Sequence, residues 1–385
     1  MAGFIDRLQC SRCDESRPFA PPPAMLCRCG APLLARYRLD EAGRSLRREN
    51  LAGRPANLWR YAEVLPPVTP ISLGEGFTPL VEARRLGAEL GLANLFVKDE
   101  SVNPTGSFKA RGMAVAVSVA VAQGARRLGA PSAGNAGSAL AAYGARAGVP
   151  VDLFLPDSTP GPFVEEARHL GATVRLVPGS IADAGRALRE ALGPSGEGWF
   201  DVSTLREPFR IEGKKTMGYE IAEQMDFRLP DVIVYPTGGG TGLIGMWKAF
   251  EEMETLGWID SRRPRMISVQ ATGCAPIVRA FEQGRDTAEA WADPVTRAAG
   301  LRVPSSLGDR MMLESLRLSR GMAVAVEDCE MMQAAARLAS LEGIDACPEG
   351  GAAVAALAVL KKRDAIDRND RVVIFNTGTG LKYRS

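Results

Sequence analysis

One lysine of this chain stands where a surface lysine has no need to stand. In "NPTGSFKARG", residues 103–112, Lys109 lies among a Pro, two Gly, a Thr and a Ser, directly before a long apolar run. The preceding loop leaves the strand-like stretch "LFVKDE", and ligands of open α/β sheets bind at the carboxyl ends of strands. A lysine there is desolvated and close to the partially positive start of a helix. Both effects lower its pKa and make it a usable amine nucleophile. The plain alternative for this stretch alone is a surface lysine in a first helical turn.

Three further stretches could serve the same chemistry. "YPTGGGTGLIGMWKAF", residues 235–250, sets consecutive glycines between a strand and a helix. There backbone amides can close around a phosphate, with the helix dipole behind them. Gly240, Gly242 and Gly245 also fit the dinucleotide fingerprint, which wants an acidic residue at the end of the next strand. That strand, "MISVQA", ends at Gln270 and Ala271. The dinucleotide reading is weakened and a phosphate cup survives. "PSAGNAGSA", residues 131–139, opens a helix with Ser132, Gly134, Asn135 and Gly137. Its amides can clasp a carboxylate, and Asn135 can bond a ring substituent. In "NTGTGLKY", residues 376–383, Thr377 and Thr379 follow an apolar strand and offer a hydroxyl at its end. Taken singly, each stretch also reads as an ordinary turn.

The elements that must hold these residues alternate. Strands read at "LFVKDE", "VDLFLP", "TVRLVPG", "DVIVYP", "RMISVQA" and "RVVIFN", with helical stretches between them. Several strands are unbroken apolar runs, the pattern of parallel sheets covered on both faces. The fold class is therefore α/β. No internal repeat or low-complexity linker interrupts it.

Together, "NPTGSFKARG", "SAGNAG", "PTGGGTGLIG" and "TGTGLK" resemble the fold-type II pyridoxal-phosphate enzymes, and most nearly the threonine synthases among them. The resemblance covers roughly residues 70–385. It implies two open, mainly parallel three-layer αβα domains behind a small N-terminal zinc-ribbon-like segment, residues 1–60. Residues 61–112 with 215–385 would form the larger, cofactor-binding domain, and 113–214 a smaller mobile one. Lys109 looks like the lysine that carries pyridoxal phosphate and moves protons. Asn135 would bond the cofactor's 3-hydroxyl oxygen, and Gly238, Gly239, Gly240, Thr241 and Gly242 its phosphate. Thr377 would bond the pyridine nitrogen; a hydroxyl cannot keep that nitrogen protonated, which suits elimination and replacement better than transamination. Ser132 and Gly134 fall to the substrate, and "EPFRIEGKKT" nominates Arg210 for a substrate phosphate. The implied reaction converts O-phosphohomoserine and water to threonine and phosphate, in a homodimer. The chain departs from the family at Ala110, usually Asp, at Ala136, usually Thr, and at Ser203, usually Asn. Two of these departures remove contacts on the substrate side, and none removes one on the cofactor side. Ala136 and Ser203 favour the rival reading, a β-eliminating ammonia-lyase acting on serine, threonine or a related amino acid, while the closing "TGTGLK" favours the synthase.

Cys10, Cys13, Cys27 and Cys29 form two close pairs, C-x-x-C and C-x-C followed by Gly30. Four thiolates so spaced read as a tetrahedral zinc site, with a second pair one residue tighter than the usual knuckle. The alternative is a loop that folds without metal. Cys274, Cys329 and Cys347 are scattered and read as packing residues. His169 is the only histidine, so histidine-based hydrolysis or metal clusters have little to stand on. Residues 1–60 hold 11 Arg against 6 Asp or Glu, but the whole chain carries only +2. With few aromatics near the basic segment, nucleic acid is not the expected partner. "MAGFIDRLQC" lacks the apolar core of a signal peptide and no apolar run could span a bilayer, so a cytoplasmic protein with an amino-acid substrate is expected.

Overall fold

Thirteen strands carry the architecture, which the computed structural model describes for residues 3–20, 25–193 and 196–384. The first three, β1 (Ile5–Cys10), β2 (Ser16–Pro18) and β3 (Leu33–Tyr37), pair antiparallel in the order β2-β1-β3. They are followed by β4 (Leu80–Glu82) and β5 (Asn94–Asp99). Next come β6 (Arg127–Pro131), β7 (Val151–Pro156), β8 (Thr173–Val177) and β9 (Trp199–Asp201). The last four are β10 (Val232–Pro236), β11 (Arg265–Ala271), β12 (Met322–Val326) and β13 (Arg371–Asn376).

The chain divides into two units. The first comprises residues up to Phe77, Asn103–Thr105 and Lys109–Thr216. Besides the antiparallel sheet it holds a four-stranded parallel sheet in the order β8-β7-β6-β9. Every residue of β7 is buried, as a parallel strand covered on both faces requires. The helix Lys109–Ala122 is buried continuously from Ala110 to Ala120. A helix without a polar face belongs inside a core, and this one packs against the helix Asn135–Ala147. The buried carboxylate of Glu75 gathers the unit's loops. It accepts Trp59 Nε1 at 2.9 Å, Ser72 Oγ at 3.0 Å, the Leu73 amide at 2.8 Å and Tyr143 Oη at 2.5 Å.

The second unit comprises Thr78–Val102, Gly106–Phe108 and the residues from Met217 onward. Its six-stranded sheet runs β12-β11-β10-β13-β5-β4, parallel except for the edge strand β4. The apolar faces of the sheet and of the helices Asp328–Glu342 and Pro348–Lys362 close one core. The fold is the α/β arrangement expected from the alternating pattern.

Candidate active site

In the second unit, three neighbouring parallel strands present their carboxyl ends together. β10 pairs with β13, and β13 with β5. Their ends lead into Thr237–Gly240, Thr377–Gly380 and the Glu100–Phe108 loop. Tyr235 and Phe375 meet edge to face at 5.0 Å between ring centroids, and Phe108 packs on Tyr235 at 6.1 Å. Three segments are also sewn together by backbone bonds. Phe108 N donates to Thr377 O at 3.1 Å, Thr379 N to Gly106 O at 2.9 Å and Cys347 N to Gly378 O at 3.0 Å. Lys109 follows Phe108 by one peptide bond.

The glycine loop is built so that side chains are excluded. A Cβ on Gly238 would stand 2.1 Å from Gly300 O, and one on Gly242 2.0 Å from Tyr235 Oη. Gly240 has φ +82° and caps the helix Thr241–Thr255. The first bond of that helix runs from Ile244 N to Gly240 O, so the amides of Thr241, Gly242 and Leu243 precede the helical ladder. Ser306 Oγ donates to Gly239 O at 3.0 Å and fixes the loop from the far side. Donor amides at a helix start behind a cradle without side chains fit a phosphate monoester such as that of pyridoxal phosphate. Gln270 is buried: its Nε2 donates to Thr237 O, and its Oε1 accepts the Ile277 and Val278 amides. It carries no carboxylate, and its oxygen is already taken by two amides, so it does not offer the acceptor that the ribose of a dinucleotide site calls for.

Thr377 is buried, and its hydroxyl lies 3.6 Å from Cys347 Sγ. Burial and the nearby Glu349 carboxylate push the Cys347 thiol well above its ordinary range. Glu349 is itself buried; its Oε1 accepts Gly300 N at 2.6 Å and Tyr383 Oη at 3.1 Å, and its Oε2 has no partner.

The first unit holds the remaining candidates. Lys109 is half-buried at the first position of its helix. Gly112 and Gly213 let that helix and the helix Phe209–Gln224 touch through backbone, since a Cβ on Gly213 would lie 2.0 Å from Arg111 O. Asn135 begins the helix Asn135–Ala147. Ser132 shapes the turn before it: its Oγ accepts Gly134 N at 3.2 Å and Gly137 N at 2.8 Å and donates to Gly134 O at 3.0 Å. Ala136 packs against the apolar cluster, and Ala110 is wholly buried. Ser203 N donates to Asp201 Oδ1 at 2.8 Å, and its hydroxyl bonds the same oxygen.

Arg210 is buried, with Nη1 donating to Val202 O at 2.9 Å and Thr204 Oγ1 at 3.1 Å, while its Nε has no partner. Glu207 caps the same helix by accepting the Phe209 and Arg210 amides at 2.6 and 3.0 Å. Burial pushes the Glu207 carboxyl up to about 7, against the pull of Arg210 and the two amides. His169 is exposed at the end of its helix.

The four N-terminal sulfurs lie within 4.8 Å of one another. Cys10–Cys29, Cys13–Cys27 and Cys13–Cys29 are separated by 3.5, 3.6 and 3.8 Å. A tetrahedron of zinc–sulfur bonds of ~2.3 Å has edges of about 3.8 Å, so the donor set fits zinc. The short second pair is accommodated by Gly30 at φ +81°, where Gly30 N donates to Cys27 O and Cys27 N to Ala31 O. Desolvation raises the Cys10 thiol, but the Cys13 and Arg12 amides outweigh it and bring it down to about 7. Of the other cysteines, Cys274 and Cys347 are buried, whereas Cys329 is exposed and so does not pack as expected. Cys347 was hidden to sequence reading because a lone buried thiol looks like any small apolar residue.

This combination of parallel strand ends, glycine cradle and strand-end hydroxyl is that of cofactor-dependent amino-acid chemistry. The chain belongs to the pyridoxal-phosphate dependent enzyme family, whose profile matches residues 71–378. Within that family its relatives include the threonine synthase of Methanosarcina acetivorans, 38% identical over 87% of this chain and 82% of the relative. The threonine synthase of Methanocaldococcus jannaschii is 36% identical over 92% of this chain and 88% of that one. Among solved structures, the threonine deaminase of T.th. superposes with a TM-score of 0.64 at 25% identity, covering 78% of this chain and 92% of that one. Maize serine racemase, at 21% identity and TM-score 0.67, covers 79% of this chain and 88% of that one and shares the fold.

Proposed function

We propose that this enzyme is a threonine synthase-type lyase that converts O-phosphohomoserine and water to threonine and phosphate. The observation that carries the reading is 36–38% identity to two threonine synthases along nearly the whole chain. In the reaction the Cγ–O bond breaks, phosphate leaves, Cγ becomes the methyl group and Cβ gains the hydroxyl of water. Pyridoxal phosphate supplies the electron sink for the carbanion chemistry at Cα and Cβ.

The residues divide the remaining work. Lys109 Nζ would hold the cofactor and would take the proton from the substrate's Cα. The amides of Gly238, Gly239, Gly240, Thr241 and Gly242 would bind the cofactor phosphate, Asn135 would bond its 3-hydroxyl oxygen, and the Thr377 hydroxyl would donate to its ring nitrogen. The turn shaped by Ser132 and Gly134 receives the substrate carboxylate. Arg210 faces the substrate phosphate, a role supported by its buried, unpartnered Nε. Cys10, Cys13, Cys27 and Cys29 hold a structural zinc, supported by their sulfur separations. The working form is a cytoplasmic homodimer by family likeness; among the described residues no helix is long and apolar enough to cross a membrane.

A β-eliminating ammonia-lyase is the second reading. Ala136 and Ser203 favour it, since neither offers the family's substrate contact, and so does the likeness to a threonine deaminase. Incubation with O-phosphohomoserine, serine and threonine in parallel separates the two. Threonine with equimolar phosphate from the first supports the synthase. Ammonia and a keto acid from serine or threonine, with O-phosphohomoserine untouched, overturns it.

A further inference from the structure

Thr377 and Cys347 form a closer partnership than the proposed chemistry demands. Among the described residues, Cys347 Sγ is the one side-chain partner of the Thr377 hydroxyl, at 3.6 Å, and the two residues are 5% and 1% exposed. The thiol has one proton, and a different acceptor is placed for it. Asn376 Oδ1 lies 3.8 Å from Sγ. The Asn376 amide is oriented by its own Nδ2, which donates to Asp99 Oδ1 at 2.9 Å. An amide oxygen only accepts, and the buried Glu349 carboxylate beside the thiol is a second acceptor for its proton, so the S–H has partners other than the Thr377 hydroxyl. On another side Gly350 N donates to Sγ at 3.4 Å, making Cys347 the cap of the helix Pro348–Lys362. What sulfur then offers Thr377 is a lone pair, and sulfur is a weak acceptor.

We propose that Cys347 is a positioning residue for Thr377: it fills the space behind the hydroxyl with a partner too soft to capture the hydroxyl proton. That proton stays available to a stronger acceptor. The inference rests on the reading of Thr377 as the partner of the cofactor's ring nitrogen. An oxygen in place of the sulfur would compete for the same proton. Serine is the informative substitution, because it keeps the helix cap.

The test is a titration of the full-length protein, freed of cofactor by dialysis, with pyridoxal 5′-phosphate, followed by absorbance. Cys347→Ser, Cys347→Ala, Thr377→Val and the double variant Cys347→Ser/Thr377→Val are compared, with melting temperatures recorded. Cys347→Ser should weaken binding roughly threefold to tenfold, the range of one neutral hydrogen bond. In the Thr377→Val background the same change should have an effect of under about twofold. Cys347→Ala has no competing oxygen; it should melt lower through loss of the cap but bind within about twofold of the native chain. An unchanged affinity in Cys347→Ser overturns the proposal. So does an equal loss in both backgrounds, or a loss in Cys347→Ala as large as in Cys347→Ser. If Thr377→Val alone changes neither affinity nor absorbance maximum, the reading of Thr377 itself is wrong.

Discussion

The ammonium of Lys98 meets the carboxylate of Glu220 at 2.9 Å, and both side chains are wholly removed from solvent. Lys98 Nζ also donates to Thr78 O at 2.7 Å and Gln224 Oε1 at 2.9 Å, so its three donors are all used. Thr78 passes the connection on, its hydroxyl donating to the buried Glu100 at 2.6 Å. Lys98 thus anchors the end of β5, where the loop toward Lys109 begins, and has no spare lone pair or proton for chemistry. Lys98→Met would leave Glu220 buried without its counter-charge and should cost about 3–5 kcal/mol in urea unfolding. The double change Lys98→Met/Glu220→Leu should recover most of that loss. A single variant as stable as the native chain would show that the pair contributes nothing.

Stability should depend on pH through Glu207. Its folded carboxyl is raised by burial to about 7 from an ordinary 4.5. Between those values the folded chain holds a proton that the unfolded chain has released. Stability contributed by this group is therefore present below about 4.5 and is lost as pH rises through about 7, by roughly 3 kcal/mol at 1.36 kcal/mol per pKa unit. Glu207→Gln keeps an acceptor for the Phe209 and Arg210 amides and removes the titration. Unfolding curves at pH 5 and pH 8 should show a smaller drop for the variant. Parallel curves would exclude Glu207 as the titrating group.

The cysteine cluster makes a compositional forecast. Protein purified without chelator should contain about one zinc per chain, the stoichiometry of a closed four-thiolate site. Cys13→Ser should lower that content and loosen the antiparallel sheet β2-β1-β3, while the yellow cofactor absorbance persists. A metal-free protein with four freely reactive N-terminal thiols would mean that the loop folds without zinc.

Arg210 should discriminate between substrates. A charge-assisted hydrogen bond contributes about 1.5–3 kcal/mol. Arg210→Ala should then lower kcat/KM for O-phosphohomoserine by about tenfold to a hundredfold and weaken inhibition by inorganic phosphate. Turnover of an amino acid without phosphate should change far less. Equal losses on both substrates would mean that Arg210 acts only through the Val202 carbonyl and Thr204, which its Nη1 already holds.

Much of this was legible in the chain itself. Strands such as β7 and β10 are buried along their whole length, so their apolar runs announce them. The glycine cradle was legible because only glycine fits against Gly300 O and Tyr235 Oη. The helix Phe209–Gln224 was not legible as an element, and the reason is physical. Its Glu212, Lys214, Lys215 and Glu220 are all buried, so no apolar stripe marks the face that packs. Three of these charges meet partners that hydropathy cannot see: Lys215 pairs with Glu212 at 2.7 Å, Tyr37 donates to Glu212 at 2.8 Å, and Glu220 meets Lys98. Cys347 and Glu349 escaped for a similar reason. Their significance lies in contacts with Thr377 and Gly300, distant in sequence and joined only by the fold.

The claim at the centre of this account is that one lysine, Lys109, carries pyridoxal phosphate. Borohydride reduction of the purified enzyme followed by peptide mapping tests it most directly. The expected result is a single pyridoxyl label on Lys109, with loss of the label and retention of the fold in Lys109→Ala. A label on Lys98, Lys214 or Lys215, or an unlabelled protein with no yellow absorbance, would contradict it.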